Sequence, residues 1–462
     1  MGDTTTASDV HADAPVAFRR IGILRLSWPL LAVTLVTLLA VVADTAILSL
    51  GSPELNAAVA TANQLFGIPY DLSVLFALGA LVVIAQLLGA GRIASARRAT
   101  IIALRANTVL GIAIAGGIAV LGPWLLELIN TPDELMGESL VYLYAVLGGF
   151  VFNAYLVVAT AILRAYGRTV VILVLGTLLN VSYLLMQYVF ILVLELGAFG
   201  AALSTTLARG VTAAIVVWVV YRRTGAHLFS RLPPRDVDTG AGRMARLSVP
   251  SVLENGLYNV GILLVVSFIN VLGTDAINAR SYALTLTGLV TGVVLALAQA
   301  NETIVGWDKG GRTPEHARRL TLRTALWAAA ASVAMALLLW VFADSVLSIF
   351  GASPAVVAGA RELLLLSVVL LPLAGVTAVV YGALRSTGDV VVPMAYSIGS
   401  SVVVLIPLAW LFVSVLGWGL AGAWWALIAA EAVKAGLLLA RWLRGGWARI
   451  ASVVDADDAG TA

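Results

Sequence analysis

The chain has 462 residues, 61% of them hydrophobic and only 11% charged, with a mean hydropathy of +1.00. That balance excludes an ordinary soluble domain and points to an integral membrane protein. The formal charge of +3 and pI of 9.2 trace to arginines gathered between apolar runs rather than to a nucleic-acid-binding face, and the lack of cysteine excludes disulfides and thiol chemistry.

A bilayer core of about 30 Å needs roughly 20 apolar residues per helix. Runs of that length are predicted at 26–50, 63–88, 99–122, 139–163, 169–194, 198–221, 246–272, 281–306, 320–343, 362–384, 390–416 and 418–441. They are too long, and too poor in strict alternation, for barrel strands. Residues 1–18 are mostly small and polar, and the first apolar run is long enough to stay as a helix, so no cleavable signal is expected.

Arginine placement orients these spans, because cytoplasmic loops carry the Lys/Arg excess. Arg19, Arg20, Arg92, Arg97, Arg98, Arg164, Arg168, Arg222, Arg223, Arg231, Arg235, Arg318, Arg319, Arg385, Arg441 and Arg444 all fall in the tails or the even-numbered connections. The opposite side has little beyond Arg280 and Arg361, with Glu54, Asp133, Glu134 and Glu138 among its acids. Both termini are therefore expected in the cytoplasm of a multi-pass cell-membrane protein.

The chain also matches itself under one constant shift in numbering, the shift that lays Ser27 on Ser248. "SWP" at 27–29 then meets "SVP" at 248–250, "QLLGAGRIASARR" at 86–98 meets "WDKGGRTPEHARR" at 307–319, and "AILRAYGR" at 161–168 meets "GALRSTGD" at 382–389. The last pairing aligns Arg164 with Arg385 and Gly167 with Gly388. Six spans per copy make the repeat parallel, with a pseudo-twofold axis along the membrane normal. The expected fold is an all-α polytopic membrane protein of twelve transmembrane helices in two homologous six-helix lobes with a central cleft. Its segments are a tail (1–20), an N-lobe (21–221), a linker (222–245), a C-lobe (246–444) and a second tail (445–462). Rocking one lobe against the other would expose the cleft to alternate sides, which is the layout of a transporter.

Ionisable groups inside such spans mark candidate sites, since a central acid costs about 2.5–3.5 kcal/mol to insert. Asp44 lies about six residues from the outer end of the first span, or ~9 Å deep at 1.5 Å per residue. It is a candidate coupling carboxylate, neutralised by H⁺ or by a Na⁺ that Thr45, Asn180 and backbone carbonyls would help hold. Asp71 in "GIPYDLSVL" enters the second span from the same side and either shares that depth or lies at a wet outer mouth. On the seventh span Glu254 and Tyr258 are one turn apart, with Asn255 and Asn259 beside them. That stripe either faces a substrate cavity, pairing a cation with the carboxylate and the Tyr258 ring, or makes interhelical hydrogen bonds. Arg209, deep in the sixth span, is expected to have an acidic partner. Glu431 and Lys434 can neutralise each other at i,i+3, and Asn301 with Glu302 is expected to face a loop. Among the intramembrane prolines, Pro29 is the candidate conformational element through its spacing to Asp44.

With "PLLAVTLVTLLAVVADTAIL", "QLLGAGR", "ILRAYGR", "LGAFGAAL" and their duplication, residues 20–444 resemble the multidrug and toxic compound extrusion (MATE) family. The resemblance implies export of organic cations or other amphiphilic compounds in exchange for inward H⁺ or Na⁺. Asp44, fifteen residues after Pro29, resembles the first-helix acid of the DinF-like branch, and Asn180 the fifth-helix Asn near it. Leu184 stands where the family often has a second acid. A different branch would carry a Glu in the seventh helix and an Asp in the tenth; Glu254 lies nearer the helix start than that pattern expects, and "LLPLAGVTAVVYGALR" has no acid. The DinF-like branch is therefore favoured. Trp307 replaces the usual Gln of the second-half loop, a divergence of the second lobe.

An ATP-driven pump is disfavoured, since Lys309 and Lys434 are followed by Gly and Ala rather than Ser or Thr. An intramembrane hydrolase lacks its base or metal set, because His11, His227 and His316 fall in the tail or loops, so no enzyme is expected. A flippase of lipid-linked saccharides in the same superfamily would need several cavity cations, where Arg209 stands alone; a membrane receptor or scaffold is the alternative of a different class. Expected partners are small amphiphilic or cationic substrates and the bilayer, with no cofactor beyond the coupling ion, no nucleic acid and no obligate protein partner.

Overall fold

The computed structural model describes residues 21–51, 53–128, 131–233, 239–348 and 353–455. Arg19, Arg20 and Arg235, most of the N-terminal tail, part of the linker and the end of the C-terminal tail lie outside them, as do the side chains of Glu54 and Asp133. Among the described residues twelve helices are long and apolar enough to cross a membrane: Ile23–Leu50, Pro69–Gly89, Ile93–Leu128, Glu134–Ala165, Thr169–Val193, Gly197–Thr224, Ala241–Asn270, Thr274–Gly310, Pro314–Val341, Pro354–Ser386, Val391–Val415 and Gly419–Leu443. Each coincides with one predicted apolar run, and no strand occurs among the described residues.

Several helices outrun their apolar segments. The third span has 36 residues and the eighth 37, because polar turns bearing Arg97 and Arg98, or Trp307 to Lys309, continue the helix beyond the run that hydropathy detects. The second and fourth spans each end in a glycine-type turn. Gly91 has φ +75° and Gly167 φ +68°, and each leads into a closing bond that reaches back five positions, Arg92 N–H to Leu87 O at 2.9 Å and Arg168 N–H to Leu163 O at 2.8 Å. At the equivalent positions of the second copy, the same bonds run from Thr313 to Asp308 at 2.9 Å and from Asp389 to Leu384 at 3.0 Å. Gly388 repeats the left-handed backbone at φ +89°, but Gly91 is matched by Arg312 at φ +55°.

Three spans depart from regular α-helix. The second is preceded by Pro53–Gln64 and divided into Gly67–Ser73 and Leu75–Gly89; Pro69 sits in the first turn of the short piece, where a missing N–H is tolerated. The eleventh alternates Val391–Gly399, a π-helical Ser400–Leu405, Ile406–Ala409 and a second π segment Trp410–Val415. Pro407 cannot donate to the carbonyl one turn back, and the wider turns on either side accommodate that loss. A π segment also closes the fifth span at Val189–Val193, and the repeat lays its first residue, Val189, on Trp410 at the start of its counterpart.

The chain forms two compact units, Trp28–Val252, and Leu253–Ala462 together with the start of the chain through Ser27. The first turns of the seventh span thus belong with the first unit, unlike the predicted 21–221 and 246–444 lobes. The reason is local: Gly79 N–H donates to Ser248 Oγ at 2.6 Å, and a Cβ on Gly79 would run into the Met244 backbone. Within this unit Phe66, Phe150, Leu143 and Val59 are buried together. The core of the other unit includes Val379, Leu384, Trp442 and Trp447.

Polar straps follow the sixth and twelfth spans. Arg105 donates to Leu228 O and Ser230 O, both at 2.8 Å, tying the first linker residues to the third span. In the other unit Trp447 stacks on Trp442 with ring centroids 4.2 Å apart, while Lys309 Nζ donates to Ala448 O at 3.1 Å and Ile450 O at 2.5 Å.

Candidate functional site

Within the first unit a cavity of about 310 Å³ is lined by Asp44, Asn63, Tyr70, Tyr142, Leu179, Asn180, Tyr183, Thr205, Ala208 and Arg209. Asp44, the expected coupling acid, is half-buried in its wall. Its Oδ1 accepts hydrogen bonds from Tyr183 Oη at 2.5 Å and from Gln187 Nε2. Asn180, Tyr183 and Gln187 are spaced three and four residues apart on the fifth span, so the helical period puts them on one face. Asn180 lines the same cavity and donates to Gly176 O at 2.8 Å and Thr37 Oγ1 at 3.3 Å. Across the cavity, Tyr142 Oη donates to Asn63 Oδ1 at 3.2 Å.

The other candidates near Asp44 do not join it. Thr45 is exposed and bonds back to Val41 O of its own helix at 3.1 Å, as expected of a neighbour about 100° further round the helix. Asp71 is half-buried on the short Gly67–Ser73 helix, but the residue of that helix lining the cavity is Tyr70. Pro29 lies inside a helix that continues through it from Ile23 to Gly51.

Arg209 corrects its expectation. It has no ion-pair partner among the described residues, and its buried Nη1 has no hydrogen-bond acceptor there. The guanidinium instead lies over the Tyr70 ring, 5.5 Å from its centroid. Phe150 and Phe66 back that ring at 5.3 Å and 6.0 Å. An aromatic face has taken the place of the expected carboxylate.

In the second unit, Glu254 accepts a hydrogen bond from Ser397 Oγ. Tyr258 lies under Lys434 Nζ, 5.1 Å from the ring centroid. Lys434 pairs with Glu431 at 2.5 Å, as their i,i+3 spacing predicts, and Thr377 Oγ1 donates to the other oxygen of Glu431 at 3.1 Å. Asn255 and Asn259 are exposed on the same span, so the predicted stripe divides, with Glu254 and Tyr258 in polar contacts with other spans. The loop-facing role of Asn301 and Glu302 is also corrected. Both are buried; Glu302 pairs with Arg385 Nε at 2.7 Å and Asn301 donates to Thr321 at 3.3 Å. The eighth helix runs on to Gly310, which leaves these residues a full two turns inside it.

Sequence reading passed over Tyr183, Gln187, Tyr142, Asn63, Tyr70 and Thr205. Tyr183 and Gln187 carried a signal in their spacing from Asn180; the others become neighbours only through tertiary packing. No group of three His, Cys, Asp or Glu able to hold a metal occurs among the described residues.

Twelve spans written as two copies of a six-span unit, with an acid and an arginine lining one intramembrane cavity, define a polytopic membrane transporter. The profile of the family described as MatE matches residues 29–189 and again 250–411, starting points related by the same shift that lays Ser27 on Ser248, and the chain belongs to that family. It is 26% identical over 426 residues to the uncharacterized transporter YisQ of Bacillus subtilis, covering 91% of this chain and 94% of that protein. Identity is likewise 26% over 439 residues to a probable multidrug resistance protein NorM of Thermotoga maritima, covering 92% of each. Among solved structures, the Vibrio cholerae MATE transporter VcmN superposes with a TM-score of 0.86 at 18% identity, over 94% of this chain and 98% of that one.

Proposed function

We propose that the protein is a secondary active efflux transporter that exports amphiphilic small molecules by antiport with inward H⁺, with Asp44 as the coupling carboxylate. The observation that carries this reading is the position of Asp44 in the cavity wall, its Oδ1 engaged by Tyr183 and Gln187. A proton neutralising that oxygen would exchange two accepted bonds for one donated bond, a local change able to bias how the first and fifth spans pack. Multidrug export is supported by the NorM relatives, and the DinF-like branch by the shared cavity of Asp44 and Asn180.

H⁺ is favoured over Na⁺ by charge balance. The cavity lining holds one carboxylate, Asp44, and one guanidinium, Arg209, so a bound Na⁺ would meet no net negative charge and would be repelled by Arg209. A proton needs only the carboxylate. The arginine bias supports cytoplasmic termini, and two copies of a six-span unit in one chain are the layout of an alternating-access transporter. The substrates and the bilayer are partners enough for this cycle.

The test is gradient-driven dye flux in proteoliposomes, under separately imposed H⁺ and Na⁺ gradients. Wild type is expected to respond to the H⁺ gradient and Asp44→Asn to lose that response while remaining folded. Undiminished H⁺-driven flux in Asp44→Asn would overturn the assignment.

A further inference from the structure

We infer that the end of the sixth span holds the phosphate of an acidic phospholipid headgroup between Arg168 and Arg223. The site is separate from the coupling cavity, and it follows from the internal repeat, which lays Arg168 on Asp389. In the second unit that acid ties the turn between the tenth and eleventh spans to the twelfth: Asp389 is buried and pairs with Arg441 Nε at 2.9 Å. In the first unit the same turn presents a guanidinium, and the charge it meets from the end of the sixth span is Arg223, a second guanidinium. Burial among its neighbours first, and the charge of Arg223 second, push Arg168 below its ordinary pKa although part of the side chain stays exposed. The ion pair of one copy is a like-charge pair in the other, and an anion between the two guanidiniums relieves it.

The neighbouring sequence supplies no such anion. No Asp or Glu occurs in 72–126, 139–194 or 196–235, which hold the second-to-third and fourth-to-fifth turns and the end of the sixth span, and neither Arg168 nor Arg223 pairs with a carboxylate among the described residues. Two more arginines converge there. Arg97, in the first turns of the third span, brings its guanidinium against Gly225, where a Cβ would lie 3.5 Å from Cζ. Arg222 lies over the Trp218 ring, 5.5 Å from its centroid. Arg98 donates to Pro233 O and Arg105 to Leu228 O and Ser230 O, so the segment after Gly225 is pinned along the third span. The fifth span opens at Thr169 with no side chain capping it, and the positive end of that helix adds to the same field.

Apolar surface beside these charges selects a lipid over a soluble phosphate. Trp218 and Tyr221, in the last turns of the sixth span, and Phe229 just beyond it are exposed. Such aromatic side chains sit at headgroup level, between acyl chains and phosphates. Guanidinium forks match phosphate oxygens with paired bonds, and the arginine bias assigns this face to the leaflet where basic pockets between spans hold acidic headgroups. A zwitterionic lipid would bring its quaternary ammonium up to the same guanidiniums and be repelled.

The experiment measures lipid binding to the purified, delipidated full chain by native mass spectrometry from a nonionic detergent. Phosphatidylglycerol and phosphatidylcholine with matched acyl chains are compared, with inorganic phosphate as the soluble competitor and thermal melting as the check on folding. Wild type should hold the first phosphatidylglycerol at least about tenfold more tightly than the first phosphatidylcholine, from one charge-assisted pair. Arg168→Gln and Arg223→Gln should each cut that preference by about threefold to tenfold. Arg168→Asp, which restores the acid of the second copy opposite Arg223, should leave a preference of less than about twofold. Arg319→Gln, at an exposed arginine of the second unit, should change it by less than about twofold. Equal retention of the two lipids, a loss in Arg319→Gln as large as in Arg168→Gln, or displacement of the lipid by inorganic phosphate at equal concentration overturns the inference. So does a preference that arises only when Asp236→Asn and Asp238→Asn are introduced, since the chain's own linker is then the occupant. Should Arg168→Asp fail to fold, the two Gln variants decide by the same ratio.

Discussion

Tyr183 on the fifth span donates a 2.5 Å hydrogen bond to Asp44 on the first, and Gln187 one turn further donates to the same carboxylate oxygen. The pair of donors holds the carboxylate in one rotamer against the cavity. Removing either donor withdraws a charge-assisted bond worth roughly 1.5–3 kcal/mol. Tyr183→Phe and Gln187→Leu are each expected to lower H⁺-driven flux by about tenfold, from loss of a bond of that strength, and the double variant to approach the level of Asp44→Asn. Flux at wild-type level in the double variant would show that the two donors do not position Asp44 for coupling.

The spans were legible because about twenty apolar residues are needed to cross a bilayer whatever the tertiary fold, and the internal repeat because its turns ask for the same closing bonds twice. Asp44 stood out as the acid of its span. Tyr183 and Gln187 did not, although they share a helical face with Asn180, since Tyr and Gln are also common in interhelical bonds. Arg209 and Glu302 were misjudged for opposite reasons. The partner of Arg209 is a ring delivered by a separate short helix, Gly67–Ser73, which no local pattern announces. Glu302 was placed at a helix end because hydropathy stops before the helix does. The π segments were hidden because their register depends on which carbonyl each N–H chooses; Pro407 was only a hint.

Gly79 and Ser248 make a second testable contact. The hydroxyl of Ser248 accepts from Gly79 N–H at 2.6 Å, and the backbone of Met244 sits where a Cβ at position 79 would go. Gly79→Ala must push the seventh span away and is expected to destabilise by about 1–3 kcal/mol, as overpacking does. Ser248→Ala removes that acceptor, together with the donation of its hydroxyl to Met244 O at 3.0 Å, but creates no overlap and should cost about 1 kcal/mol. Thermal melting in detergent gives the order; an equal or reversed ranking would mean that close approach is not what Gly79 provides.

Glu431 and Lys434 test buried-charge energetics. Both side chains are about nine-tenths buried and their charged atoms lie 2.5 Å apart, with Thr377 on the second carboxylate oxygen. Either neutralisation alone strands a charge, so Glu431→Leu or Lys434→Met should each lose about 3–5 kcal/mol, while the double variant should recover most of it. Additive losses in the double variant, measured by denaturant unfolding, would show that the two charges are not coupled.

Arg312 carries a left-handed backbone, φ +55°, where its repeat mate Gly91 has φ +75°. Arg312→Gly relieves roughly 1 kcal/mol of steric cost, less the extra chain entropy of glycine, and gives up the 2.6 Å bond to Asp455. That pair is exposed and worth about 0–1 kcal/mol. The melting temperature of Arg312→Gly is therefore expected to equal or slightly exceed wild type, and a clear drop would mean that the bond to Asp455 outweighs the strain.

Asp455 ties the C-terminal segment to the eighth-span turn and titrates outside the membrane. Hydrogen bonds from Ser452 first, then from Arg312, hold its carboxyl down at about 2. A folded value below the ordinary carboxylate value of about 3.9 stabilises the native state fully above that value and progressively less as pH falls from there to the folded one. The segment is thus expected to stay anchored at pH 7 and to loosen between about pH 4 and pH 2. Pepsin, active in that window, should cut beyond Trp447 increasingly as pH falls in wild type, while Asp455→Asn, lacking the charge, should be cut rapidly already at the upper end. Superimposable cleavage profiles for the two proteins would show that the tail is held by its buried Trp447 and Val453 alone and not by the carboxylate.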